Sequence, residues 1–154
     1  MKYLFFFLSA LFFASCTDDN EQVIVDTDIN ISVKDEDGND LLNPDNSNSL
    51  NQNEFKIFYE INGEQIEFYD ENLDYPKGFF VYQHENEFRI RIFPSTDKNA
   101  LYLITYIEWS KMDTDTIRCE IERKESSTIC KKVWFNEELV WQAYDTERFF
   151  EIIK

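Results

Sequence analysis

The dipeptide Asn62-Gly63 limits what this chain can become more than any other pair of residues in it. Asparagine and glycine both accept positive φ, and the two-residue turn they favour matches the right-handed twist of paired strands. Residues 55–61 ahead of it alternate Phe55, Ile57, Tyr59 and Ile61 against Lys56, Phe58 and Glu60. That period of two is the pattern of a strand with one buried face. The turn then sets the register: Ile61 faces Glu64, Tyr59 faces Ile66 and Ile57 faces Phe68, so the apolar partners fall on one side. Turn chemistry and hydropathy pattern therefore agree on a β-hairpin.

The same reading extends along the chain. Residues 29–33 place Ile29, Ile31 and Val33 on one face, and Asp35-Glu36-Asp37-Gly38 follows as a turn. Residues 79–83 and 88–93 flank His84-Glu85-Asn86-Glu87 as a second hairpin, with Phe88, Ile90 and Ile92 inward and Arg89 and Arg91 outward. Residues 101–109 are apolar on both faces, which predicts a central strand. Residues 114–122 and 128–135 predict a third hairpin around Lys124-Glu125-Ser126-Ser127, and residues 139–144 and 149–153 the last two strands. Asp70, Glu71, Asp74 and Pro76 mark a loop. No long stretch has helical period. Short strands joined by polar turns predict an all-β fold: an antiparallel β-sandwich or open barrel, immunoglobulin-like or transthyretin-like, built from hairpins.

The first residues decide where such a domain resides. Lys2 precedes the apolar run Tyr3 to Phe13, which is shorter than the roughly 20 residues a transmembrane helix needs. That is the layout of a signal peptide. Ala14 and Ser15 stand directly ahead of Cys16, with Phe13 where leucine is usual, and this resembles the lipobox of bacterial lipoproteins. The resemblance implies cleavage before Cys16 and acylation of its sulfur and new amino group. Thr17-Asp18-Asp19-Asn20-Glu21 resembles the acidic export signal that sends lipoproteins of Bacteroidota-type bacteria to the cell surface. The whole pattern is similar to the surface lipoproteins of such bacteria. It implies a signal peptide over 1–15, a lipidated acidic tether over 16–27 and one β domain over 28–154. It also implies a location in the outer membrane, lipid-anchored and exposed at the surface.

Removing residues 1–15 takes away only Lys2 among the charges, leaving 14 basic and 31 acidic residues and a net charge of −17. A surface so negative repels phosphate backbones, so nucleic acid is not an expected partner, and membrane attachment rests on the acyl chains. Cys119 and Cys130 remain after the anchor. If they face each other in the third hairpin, an exported chain meets chemistry that can join them, and a Cys119–Cys130 disulfide is expected, the alternative being two buried thiols.

Catalytic signals are thin. His84 is the one histidine, in a turn between glutamates, and Gly38, Gly63 and Gly78 lie too far apart for a phosphate loop. One histidine and two hairpin cysteines do not make a zinc site, and the aspartates around Gly38 lack the remainder of a calcium loop. No enzyme, cofactor or metal is expected. Trp109, Trp134 and Trp141, with Tyr102, Tyr106 and Tyr144, are read mainly as core, with a sugar-stacking platform as the sharper alternative. Of these, residues opposite Leu103 and Ile107 are the better candidates for exposure. The expected function is a non-catalytic cell-envelope lipoprotein recognising a glycan or a protein partner. A structural subunit of an outer-membrane complex without a soluble ligand is the reading from another class. An exposed aromatic patch would favour the first and a flat apolar patch the second.

Overall fold

The computed structural model describes residues 23–154 apart from 96, 98 and 145. The expected signal peptide and the lipid-bearing Cys16 lie outside the described residues. Among those residues the chain is all-β, with eleven strands. These are β1 (Ile24–Asp26), β2 (Ile29–Lys34), β3 (Lys56–Ile61), β4 (Glu64–Glu67), β5 (Phe79–His84) and β6 (Glu87–Ile92), then β7 (Tyr102–Ser110), β8 (Asp113–Lys124), β9 (Ser127–Phe135), β10 (Glu138–Gln142) and β11 (Phe149–Ile153). No helix among them is long and apolar enough to cross a membrane.

Two open sheets form, consistent with a sandwich-like arrangement. The larger has seven strands in the order β1-β9-β8-β7-β3-β4, with β10 also on β9, and the smaller has four in the order β11-β2-β6-β5. Both are mixed. β1 runs parallel to β9 and β11 parallel to β2, so the sheets are not purely antiparallel. The hairpin reading sees only pairings that a tight turn enforces, whereas these two terminal strands join neighbours about 100 residues away, where no turn dictates direction. Strand β1 also brings three residues of the expected tether into the larger sheet.

The β3–β4 hairpin has the register its turn demands: Ile61 opposite Glu64 and Tyr59 opposite Ile66, with Asn62 and Gly63 both at positive φ. Strand β7 is central, between β8 and β3. Its inward residues Leu103, Thr105, Ile107 and Trp109 are buried while Tyr102, Ile104, Tyr106 and Glu108 face away. Ile29, Ile31 and Val33 of the smaller sheet and Ile57, Ile107, Ile117 and Val133 of the larger are fully buried and belong to one apolar cluster. Each such side chain contributes roughly 1.5–3 kcal/mol relative to exposure. After β2 the Asp35 carboxylate accepts the backbone N–H groups of Asp37 and Asn39 and the Asn39 amide and so closes the turn around Gly38, while the Asp40 carboxylate accepts from the backbone N–H groups of Leu42 and, in β6, Phe88.

The third hairpin departs from expectation. Strands β8 and β9 extend to a two-residue turn, Glu125-Ser126, and Lys131 is the extra residue of a bulge between the Glu120–Lys132 and Ile121–Cys130 pairs. Cys119 consequently faces Val133, not Cys130. The expected disulfide is absent, and Cys119 and Cys130 are free, buried thiols. Their mutual hydrogen bond, together with burial, pushes the Cys119 thiol well up. The same contact, with Arg148 nearby, lowers that of Cys130.

Candidate ligand-binding cleft

The connection from β4 to β5, residues 68–78, carries the chain from the edge of the larger sheet to the edge of the smaller one. Its backbone is pinned internally. Asp70 N–H donates to the Pro76 carbonyl at 2.9 Å, Gly78 N–H to Tyr75 at 2.9 Å, and Phe93 N–H to Gly78 at 2.9 Å. Gly78 is required twice over: its φ is +75°, and a Cβ there would lie 2.8 Å from the Phe68 ring. The Tyr59 hydroxyl, on β3, donates to the Phe93 carbonyl just after β6 at 2.7 Å, tying the two sheets together beneath the loop.

Between loop and sheets lies a cleft of about 440 Å³. Tyr59, Phe68, Tyr75 and Phe93 supply ring walls and Leu73 and Pro94 complete the apolar lining, while Asp70 and Asp74 bring carboxylates. Tyr75 is 41% exposed and stacks on Phe80 with centroids 4.1 Å apart and planes 18° from parallel, with Phe93 following at 5.8 Å. Tyr59 and Phe68 meet at 4.7 Å. Hydrogen bonds from the backbone and side chain of Asn72 hold the Asp70 carboxyl below its ordinary range, so it is ionised at neutral pH. Burial pushes the Tyr59 phenol far up and keeps it neutral.

The ring surface continues on the outer face of the smaller sheet. Phe80, Tyr82 and His84 follow one another at strand period along edge strand β5, with Tyr82 and His84 edge to face at 6.3 Å. The Arg91 guanidinium lies 5.4 Å from the Tyr82 ring centroid and 5.7 Å from that of Phe80, and pairs with Asp28 at 3.2 Å. Asn30 Oδ1 accepts from both Tyr82 and Arg91 at 2.9 Å. Arg89 sits 3.7 Å over Phe149 and pairs with Glu87 at 2.7 Å. The arrangement offers flat π faces beside hydrogen-bonding groups, the combination that holds a sugar ring by one face and its hydroxyls by the edge. Among the described residues no group of three or more His, Cys, Asp or Glu side chains could hold a metal ion.

The aromatic residues singled out in the sequence divide between core and surface. Trp109 and Trp141 are buried, at 2% and 8% exposure. Tyr102 and Tyr144 are exposed, and Tyr106 donates to Glu60 at 2.6 Å. Trp134 lies on the outer face of the larger sheet beneath Arg118 at 3.9 Å, in a row of paired residues Leu139, Trp134, Arg118 and Ile104. His84 is half-buried at the end of β5. The sequence reading missed the cleft because its rings come from segments without common periodicity. The one available signal was Tyr69, Leu73 and Tyr75 within an acidic loop.

No protein-family model, no curated protein and no solved structure matches the chain.

Proposed function

We propose that this chain is a non-catalytic lipoprotein of the cell envelope, anchored through Cys16 at the outer surface of the outer membrane, whose β domain binds a glycan. The two sheets are taken as a sandwich of immunoglobulin-like or transthyretin-like kind that serves as the rigid base. The observation that carries the binding role is the stack of Tyr75, Phe80 and Phe93 beside a cleft with two carboxylates. Rings held at fixed spacing on an exposed edge lose little entropy on binding and suit the apolar face of a pyranose.

Tyr75→Ala tests this on a glycan array and by titration. Truncating a stacking anchor costs about 2 kcal/mol or more, so affinity should fall about thirtyfold while the melting temperature changes little. Retained affinity, or an array on which no glycan binds, would remove the cleft from the proposal. The anchor has its own test. Cys16→Ser should move the protein from the membrane fraction to the soluble one, since several acyl chains at about 0.8 kcal/mol per buried methylene supply the attachment.

A second reading, a structural subunit of an outer-membrane complex, draws on the row Leu139, Trp134, Arg118 and Ile104, with Tyr102 close to Trp134 at 6.2 Å. An affinity pull-down from membranes that depends on Trp134 but not on Tyr75 would favour it.

A further inference from the structure

The charge of the cleft narrows its ligand. Asp70 and Asp74 line it, and among the described residues no lysine, arginine or histidine does. Asn72 engages Oδ1 of Asp70 alone, at 3.0 Å from both its backbone and side-chain nitrogens. Lys77 of the same loop lines the neighbouring groove, which shares Asp74 and Tyr75 with the cleft, and its Nζ donates there to the Asn53 carbonyl at 2.9 Å. The mature chain carries a net charge of −17, which raises the local concentration of cations around it. A hard divalent ion would need six or more oxygen ligands, and these walls are ring carbon. Ring faces with nearby carboxylates suit a different cation, an organic ammonium, which the ring quadrupole and the negative charge attract together.

We infer that the cleft accepts a protonated amino sugar, a hexosamine unit without its N-acetyl group, the pyranose lying on Tyr75 and the ammonium directed to Asp70 and Asp74. This rests on the glycan reading and adds to it the chemical class of the unit bound. Among the described residues neither carboxylate has an ion-pair partner, so a neutral sugar brings them no counter-charge, and a uronic acid adds a third negative charge to them.

The experiment titrates the purified mature chain with a glucosamine tetramer and with an N-acetylglucosamine tetramer of the same linkage, at low and at raised salt. The expected result is binding of the glucosamine tetramer, about tenfold or more tighter than the acetylated one and weakened by salt. The double variant Asp70→Asn, Asp74→Asn should lose that preference, and Asn at 70 keeps an oxygen for the Asn72 contacts, so the loop stays closed. Tyr75→Ala should weaken both ligands. Equal or tighter binding of the acetylated tetramer would overturn the inference and leave the glycan reading standing. Glucosamine binding unchanged in the double variant would overturn it as well, by showing that diffuse surface charge holds the oligomer. If neither tetramer binds, the inference fails, and the glycan array then decides the broader reading independently.

Discussion

Replacing Trp109 with alanine should lower the free energy of unfolding by about 3–5 kcal/mol, the largest effect expected of a single side chain in this domain. Trp109 is 2% exposed at the end of β7, where it meets the edge of the Phe55 ring at 5.1 Å with planes 88° apart. Its indole N–H donates to Asp115 at 2.7 Å, and the Lys154 ammonium lies 5.3 Å from the ring centroid. Alanine would remove the ring from the core, leave a cavity against Phe55 and strip Asp115 of one donor at once. A domain of this size is stable by only about 5–15 kcal/mol, so the variant would approach the threshold of folding. Trp109→Phe separates the two contributions. It keeps most of the apolar volume and loses the donor, and should cost about 1–3 kcal/mol. Urea unfolding followed by circular dichroism measures both. A loss below about 1 kcal/mol for the alanine variant would show that this end of the core repacks without the ring.

What could be read from the sequence follows how local each determinant is. The β3–β4 hairpin was legible because Asn62-Gly63 and the alternation from Phe55 to Ile61 dictate the same register. The central place of β7 was legible in its long apolar run, although only the face of Leu103, Thr105, Ile107 and Trp109 is buried and Tyr102, Ile104 and Tyr106 lie on the outer face. The β8–β9 register was not, since Lys124-Glu125-Ser126-Ser127 contains no glycine or asparagine to select a turn length, and the bulge at Lys131 leaves no mark in the hydropathy pattern. That error of register placed Cys119 opposite Cys130. The parallel partners of β1 and β11 were hidden for the complementary reason, as pairings across the whole chain have no local signature. The cleft combines both difficulties. Tyr59, Tyr75 and Phe93 come from a strand, a loop and the residue after a strand, and only the packing of two sheets brings them together.

Acid should destabilise the domain through one carboxylate in particular. Burial alone would raise the pKa of Asp115, yet hydrogen bonds from Asn136, Lys154 and Trp109 together overcome that and hold it below its ordinary value. The three donors stand at 2.7 Å each. Because the folded state depresses this pKa, the stabilisation it gives is fully present above the unfolded value of about 4 and disappears as pH falls through the lower, folded value. Asp115→Asn should therefore cost about 2–3 kcal/mol at pH 7, since an amide oxygen in the place of Oδ2 still accepts from Trp109 and Lys154 but without a negative charge, and the N–H₂ in the place of Oδ1 meets the Asn136 amide donor to donor. Lys154 keeps Asp113 at 2.7 Å in the variant, which bounds the loss. The gap between wild type and variant should narrow as the pH falls from about 4 toward about 2, because the wild-type carboxyl is then protonated as well. Urea unfolding at several pH values reads this directly. A gap that stays constant down to pH 2, or a variant as stable as the wild type at neutral pH, would show that Asp115 is held by packing and not by its charge.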